Sequence, residues 1–406
     1  MKILKIQLHW QILIALVLSI IYGIFFKDQI HYVAWLGEVF LRALKMIIIP
    51  LILSSIVSGV TNLGSAENLG RLGAKTILYY LSTSTLAIIT GLFLVNIIQP
   101  GSGADLNFTQ KVEELPGSET LGQTLIHVIP DNIFSVFSDN TKMLSVIFFA
   151  ILFGFFITQA RGKSKALLTD FFNGVFDVMM KITLFIIKFT PLGIFGLVAE
   201  KVAQQENLIA LLQSMGLYMG VVLSALAIHA IITLPLIIRL IGRSNPWKHF
   251  SSMKTPLLTA WSTSSSSATL PLTMEAVENK SGVSNKISSF TLPLGATINM
   301  DGTALYECVA VMFIGQAYGY DITIMDQVII VITALLASIG AAGIPMAGLV
   351  MITIILTAIG WDLESVGLIL AVDRILDMFR TATNVWSDSC GAVVIAKSEG
   401  ESLKVE

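Results

Sequence analysis

From Thr76 to Ile98 the chain carries no Asp, Glu, Lys or Arg. About 20 such residues wound as a helix cross the hydrocarbon of a bilayer, and uncharged runs of that length have few other uses. Comparable apolar runs recur at His9 to Phe26, Trp35 to Val60, Leu125 to Ile157, Leu167 to Val202 and Leu208 to Ile241, some interrupted by charge or Pro. Only 13% of the residues are charged and 54% are hydrophobic, where a soluble domain has about a quarter charged. The chain therefore reads as an all-α integral membrane protein. Its first run follows Lys2 and Lys5 as a signal peptide would, but no small-residue cleavage pattern precedes Lys27, so a retained helix is expected.

Lys and Arg set the expected orientation. The N-terminus, Arg71 to Lys75, Arg161 to Lys165 and Arg239 to Lys254 fall on one side, alternating with an acidic loop from Pro100 to Gln123. The positive-inside rule makes that side the cytoplasm and places both termini there. Asn62 to Lys75 is expected to be a polar loop. A net charge of −2 offers nothing to nucleic acid, and the five His and two Cys form no metal-ligand pattern. Cys308 and Cys390 both lie in apolar segments and read as packing residues.

Beyond Lys254 the apolar runs acquire features that hydrocarbon does not favour. Ser262 to Pro271 is a small-residue tip, Ser-Thr-Ser-Ser-Ser-Ser-Ala-Thr-Leu-Pro, between apolar flanks, and Ser338 to Pro345 repeats the pattern as Ser-Ile-Gly-Ala-Ala-Gly-Ile-Pro. Each is expected to enter the membrane and turn back, because non-helical backbone at that depth survives only against protein or a water-filled cavity. Helix ends at such tips present free N–H groups suited to a carboxylate. Between the tips, Asn299, Asp301 and Gly302 interrupt an apolar run from Leu292 to Gly315, which predicts a local unwinding whose carbonyls can meet a cation. Two hairpins, each followed by a polar-striped helix, form an inverted repeat with its site at the membrane midplane.

The last helix carries the densest chemistry. At 100° per residue, Asp373, Asp377, Arg380, Thr381, Asn384 and Asp388 share an arc of roughly 100°, while Ile375, Leu376, Met378, Phe379, Val385 and Trp386 fill the other faces. On a soluble protein this would be an ordinary amphipathic helix. In an apolar chain the stripe points inward, to a ligand or a buried ion-pair network.

The hairpin Ser264 to Pro271, the run Leu292 to Glu307, the tip Ala337 to Gly348 and the helix Asp373 to Asp388 together resemble the dicarboxylate/amino acid:cation symporter family, the glutamate and aspartate transporters. The resemblance covers essentially the whole chain. It implies eight transmembrane helices plus two re-entrant helical hairpins, inverted repeats, and an elevator in which one part slides against a trimeric scaffold. The implied divisions are scaffold helices in 1–75, a transport helix in 76–100, an external loop and scaffold helices in 101–205, and the transport core in 206–400. No enzyme activity and no organic cofactor are implied. An acidic amino acid would be carried with sodium ions, protons or both across the cytoplasmic membrane.

The family pattern also assigns residues. Arg380 matches the arginine that grips the substrate side-chain carboxylate and Asp377 the partner of its ammonium group, with Thr381, Asn384 and Thr303 as further contacts. Ser265, Ser266 and Gly343 would meet the α-carboxylate. Gly295, Asn299, Asn384 and Asp388 match one sodium site, and Tyr80, Thr83, Ser84, Asn299 and Asp301 a second. Carbonyls of Thr297, Ser338, Ile339 and Ala341 match a third, with Ala341 standing where some relatives have Thr. Ser264 replaces an arginine of the archaeal members, and the nearest additional cation is Arg374. Glu307 stands where the mammalian carriers have a proton-binding Glu; burial among Ala, Leu, Val and Phe favours its neutral form. Other readings are a C4-dicarboxylate or neutral amino-acid symporter, an ion channel lined by the same carboxylates, and an intramembrane hydrolase, for which no base is evident.

Overall fold

The computed structural model describes residues 8–62, 66–102, 129–138, 143–204, 208–340, 347–361 and 366–406. All regular structure among them is helical. In chain order the α-helices are α1 Leu8–Phe25, α2 His31–Asn62, α3 Ala66–Ile98, α4 Ile133–Phe137, α5 Met143–Gln159, α6 Lys163–Ile187, α7 Thr190–Gln204 and α8 Leu208–Ile228. A π-helical turn, His229–Thr233, joins α8 to α9 Leu234–Leu240. Then come α10 Pro246–Ser252, α11 Lys254–Thr263, α12 Ser266–Ala276, α13 Asn285–Ile298, α14 Asp301–Ala317, α15 Ile324–Gly340, α16 Ala347–Ala358 and α17 Val366–Ser398.

His31–Thr61, Arg71–Ile98 and Leu212–Leu240 are each long and apolar enough to cross a membrane. The pair α6 and α7 bends by 53°. The single span expected from Leu167 to Val202 is thus broken at Lys188 and Phe189, because Pro191 lacks the N–H of the next turn and its ring excludes a continuous helix. The polar loop expected at Asn62 to Lys75 is largely the first turns of α3, since nothing from Ala66 onward breaks a helix. Arg71 and Lys75 there meet Glu399 at 2.5 and 2.7 Å, and these two cations, Lys75 above all, hold the Glu399 carboxyl below the usual range. The expected acidic loop from residue 103 on lies outside the described residues, as does the second tip, Ser338 to Pro345, from residue 341 on; Ser338 to Gly340 end α15.

The expected turn at the first tip is present. Ser264 takes a left-handed conformation, φ 51° and ψ 39°, that ends α11, and Ser265 caps α12 by accepting from the Ala268 N–H at 3.2 Å. The expected unwinding is present too: Asn299 (φ −94°, ψ 84°) and Met300 (φ −115°, ψ 58°) are in neither helix nor strand geometry. Beyond the break, α14 is buried from Asp301 through Gly315 on every face. It packs on α3, α8, α15, α16 and α17. Two apolar cores result, one running from α1 and α2 to α14, the other joining α9, α11 to α13 and the second half of α17. His249 on α10 closes the second core, stacked on Trp386 at 5.1 Å with ring nitrogens 2.8 Å from Ser281 Oγ and 3.1 Å from Ser389 Oγ. Burial pushes its imidazole down to about 3.

Candidate functional site

Two polar clusters lie where α17 faces α14. In the first, Arg380 is 1% exposed. One guanidinium nitrogen, Nη2, meets Asp377 Oδ1 at 2.7 Å and Asp373 Oδ1 at 3.3 Å. The guanidinium carbon sits 3.9 Å from the centre of the Tyr306 ring, whose hydroxyl donates to Asp373 at 2.7 Å. Arg374 approaches the other oxygen of Asp377 at 3.5 Å. Arg380 Nε and Nη1 have no hydrogen-bond partner among the described residues. A planar fork in a buried setting, with two nitrogens unpartnered among the described residues, has the chemistry that suits a carboxylate.

Gly348 on α16 lets this fork lie where it does. A Cβ there would fall 2.1 Å from Arg380 Nη1, so any larger residue displaces the guanidinium. On the other side, Asn384 Oδ1 accepts from the Gly302 N–H at 2.8 Å and its amide donates to Thr303 Oγ1 at 3.0 Å. Thr381 is buried on the same helix. Glu307 is fully buried next to Tyr306, and neither carboxyl oxygen has a hydrogen-bond partner among the described residues. Ser266 at the first tip is buried, and Ser264 Oγ is buried without a hydrogen-bond partner among the described residues.

The second cluster lies one to two turns further along α17. Asn299, from the unwound segment, donates its amide to Asp388 Oδ1 at 2.9 Å and to Ser387 Oγ at 3.0 Å. Asp301 accepts from Ser84 at 2.6 Å and Thr83 at 3.2 Å on Oδ1, and from Ser387 at 2.6 Å on Oδ2. Thr83 also reaches Asn299 Oδ1 at 3.3 Å. Gly295 lets this cluster close up, since a Cβ would lie 2.5 Å from Asp388 Oδ1 and 2.8 Å from the Tyr80 hydroxyl. Carboxylate, amide and hydroxyl oxygens converging in this way suit a hard cation.

Of the predicted cation ligands, Gly295, Asn299, Asp388, Thr83, Ser84 and Asp301 come together, and Asn384 lies one turn away on α17. The Tyr80 ring is buried beside them, but its hydroxyl donates to the Thr291 carbonyl at 2.7 Å. Thr297 turns its side chain outward and bonds the Leu294 carbonyl at 2.9 Å, while Ser338 is buried near the end of α15. Ile339 contributes only its helical backbone to the description, and Ala341 and Gly343 lie outside the described residues. Two residues escaped the sequence reading. Gly348 carries no signal without knowledge of what approaches it. His229, fully buried, puts Nε2 2.9 Å from Asp301 Oδ2; its signal is a lone titratable group in an apolar span.

Known proteins resemble this chain along nearly its whole length. A family model described as the sodium:dicarboxylate symporter family matches residues 8–398. The chain is 38% identical over 456 residues to excitatory amino acid transporter 3 of Mus musculus, with 98% of this chain and 87% of that protein covered. It is 36% identical over 410 residues to the proton/sodium-glutamate symport protein of Geobacillus stearothermophilus, covering 98% and 96%. To the proton/glutamate-aspartate symporter of Escherichia coli (strain K12) it is 35% identical over 417 residues, covering 98% and 94%. A multi-pass membrane protein matched along nearly its whole length by this model and by these transporters, the chain belongs to the sodium:dicarboxylate symporter family.

Proposed function

We propose that this protein is a secondary active symporter of acidic amino acids, L-glutamate or L-aspartate, coupled to sodium, protons or both. The observation that carries the reading is Arg380: a buried guanidinium beside Asp377 with two nitrogens that have no hydrogen-bond partner among the described residues. A side-chain carboxylate fits the first and an ammonium the second. The names of the glutamate and glutamate-aspartate symporters among its relatives support the same substrates. Ser265, Ser266 and Gly343 would hold the α-carboxylate, with Thr381, Asn384 and Thr303 completing the site. Sodium would bind at Asp388 with Gly295, Asn299 and Asn384, at Asp301 with Tyr80, Thr83, Ser84 and Asn299, and on carbonyls of Thr297, Ser338, Ile339 and Ala341.

The mechanism we infer is an elevator of eight transmembrane helices and two re-entrant hairpins, in a homotrimer of the cytoplasmic membrane with both termini inside. Helices α1, α2, α5, α6 and α7 pack mainly on one another, while α3, α8, α11 to α14 and α17 form a second group, which supports a scaffold and a transport unit. α15 and α16 lie against α2 and α5, whereas Leu258 and Trp261 of α11 are 68% and 40% exposed. Sliding between two openings requires this asymmetry, with one hairpin covered and the other free. The less covered hairpin is rooted beside the cations of Arg239 to Lys254, the side that the positive-inside rule assigns to the cytoplasm, which supports an opening toward that side.

The test is uptake of labelled L-glutamate, L-aspartate and succinate into proteoliposomes under separately imposed sodium and proton gradients. Accumulation of the amino acids above equilibrium, with succinate far weaker for want of an ammonium group, is expected. Equal succinate uptake would make the protein a C4-dicarboxylate carrier, and mere equilibration a channel.

A further inference from the structure

We propose that His229 is a positioning residue of the cation site at Asp301, fixing the carboxylate so that one oxygen remains directed at the ion. The proposal rests on the sodium-coupled reading above. The two oxygens of Asp301 have different surroundings. Oδ1 faces Ser84 and Thr83 of α3, both proposed cation ligands whose hydroxyl protons can turn away when an ion enters. Oδ2 faces Ser387 and His229 Nε2. A carboxylate only accepts, so Nε2 is the donor, and Asp301 is held from behind by groups that are not among the proposed ligands.

The segment that carries the ring is tied to α17. His229 opens the π-helical turn His229–Thr233 between α8 and α9, and such turns free a backbone carbonyl from the helical ladder. The Ala230 carbonyl accepts from the indole of Trp386 at 3.0 Å. Trp386 lies two residues before Asp388 on α17, so the turn that carries His229 is tied to the helix that carries the other proposed cation-binding carboxylate. His229 and Asp301 are both 0% exposed, so the bond is shielded from bulk water. His229 Nδ1 has no hydrogen-bond partner among the described residues. Among the described residues the imidazole therefore serves this cluster through Nε2–H alone.

Outer groups that orient a ligand are typically worth about 10- to 100-fold in metal affinity. The probe is sodium chloride alone, titrated against the melting temperature of the purified, substrate-free protein in detergent, with choline chloride holding ionic strength. His229→Ala is expected to raise the sodium concentration for half-maximal stabilisation by about 10- to 100-fold. His229→Gln, whose amide nitrogen reaches near the Nε2 position, should recover most of that loss, and His229→Asn, whose amide falls short, should not. A merely structural polar residue would make Gln and Asn equivalent. If His229→Ala fails to fold, the Gln and Asn variants decide. Curves for all variants that superimpose on the wild type, or equal losses in Gln and Asn, overturn the assignment of His229. A wild type that sodium does not stabilise overturns the sodium reading itself.

Discussion

Arg380 meets Asp377 through a single nitrogen, at 2.7 Å, and the other two nitrogens of its fork have no hydrogen-bond partner among the described residues. Both side chains lie on α17, three residues apart, so the pair needs no other element to form. A ligand carrying an anion and an ammonium can add to it without breaking it.

Arg380→Ala is expected to abolish uptake of glutamate and aspartate. Removing one member of a buried pair costs ~3–5 kcal/mol, and a ligand carboxylate brought into the same setting without a partner loses a comparable amount. The apparent affinity should fall a hundredfold or more, with neutral amino acids such as L-serine gaining access. Proteoliposome uptake and size-exclusion chromatography check this together. Unchanged glutamate transport in a correctly assembled variant would remove Arg380 from the site.

Asp388→Asn is expected to shift the sodium response. Asp388 Oδ1 accepts from the Asn299 amide at 2.9 Å, and among the described residues no Lys or Arg pairs with it. A cation would supply the missing counter-charge. The variant should need at least about tenfold more sodium for half-maximal uptake, a loss of ~1.4 kcal/mol. Substrate affinity at saturating sodium should change much less. An identical sodium response in the variant would relocate the ion.

How far the sequence reaches depends on the range of each interaction. The break at Asn299 and the tip at Ser264 are local, since polar and small residues inside apolar runs announce themselves. The stripe on α17 is equally local and survives intact. The partnership of His229 with Asp301 spans 72 positions and leaves no pattern in either segment. Gly348 matters only because the Arg380 guanidinium lies against it. The bend at Pro191 was readable as a proline but concealed by hydropathy continuous across it.

Stability toward acid should depend on His249. Its imidazole sits at about 3 in the folded protein because burial disfavours the charged form, against about 6.5 when unfolded. Between those values the unfolded chain binds a proton that the folded one refuses. The contribution is therefore complete above pH 6.5 and erodes as pH falls, by at most ~1.4 kcal/mol per pH unit. His249→Phe keeps the stack on Trp386 but loses the bonds to Ser281 and Ser389. It should melt lower at pH 7.5, and its melting temperature should fall less steeply than that of the wild type between pH 6.5 and 5. Parallel profiles would show that other groups set the slope.

Glu307 is the group we propose as proton carrier, and its surroundings state the reason. The carboxyl is buried completely, and neither oxygen has a hydrogen-bond partner among the described residues. The nearby Arg380 is instead paired with Asp373 and Asp377. An isolated buried carboxylate costs far more than the neutral acid. As the proposed carrier, Glu307 would hold its proton in a setting of this kind. Released to water at another stage of the cycle, the same proton would leave an anion able to compete with the substrate for Arg380. Glu307→Gln fixes the neutral form, so substrate binding, sodium binding and exchange should all persist. Net uptake should stop responding to an inward proton gradient, and affinity should no longer decline at alkaline pH. The decisive measurement is accumulation on a proton gradient with no sodium gradient present, because a Gln variant that still concentrates glutamate there must carry the proton on another group.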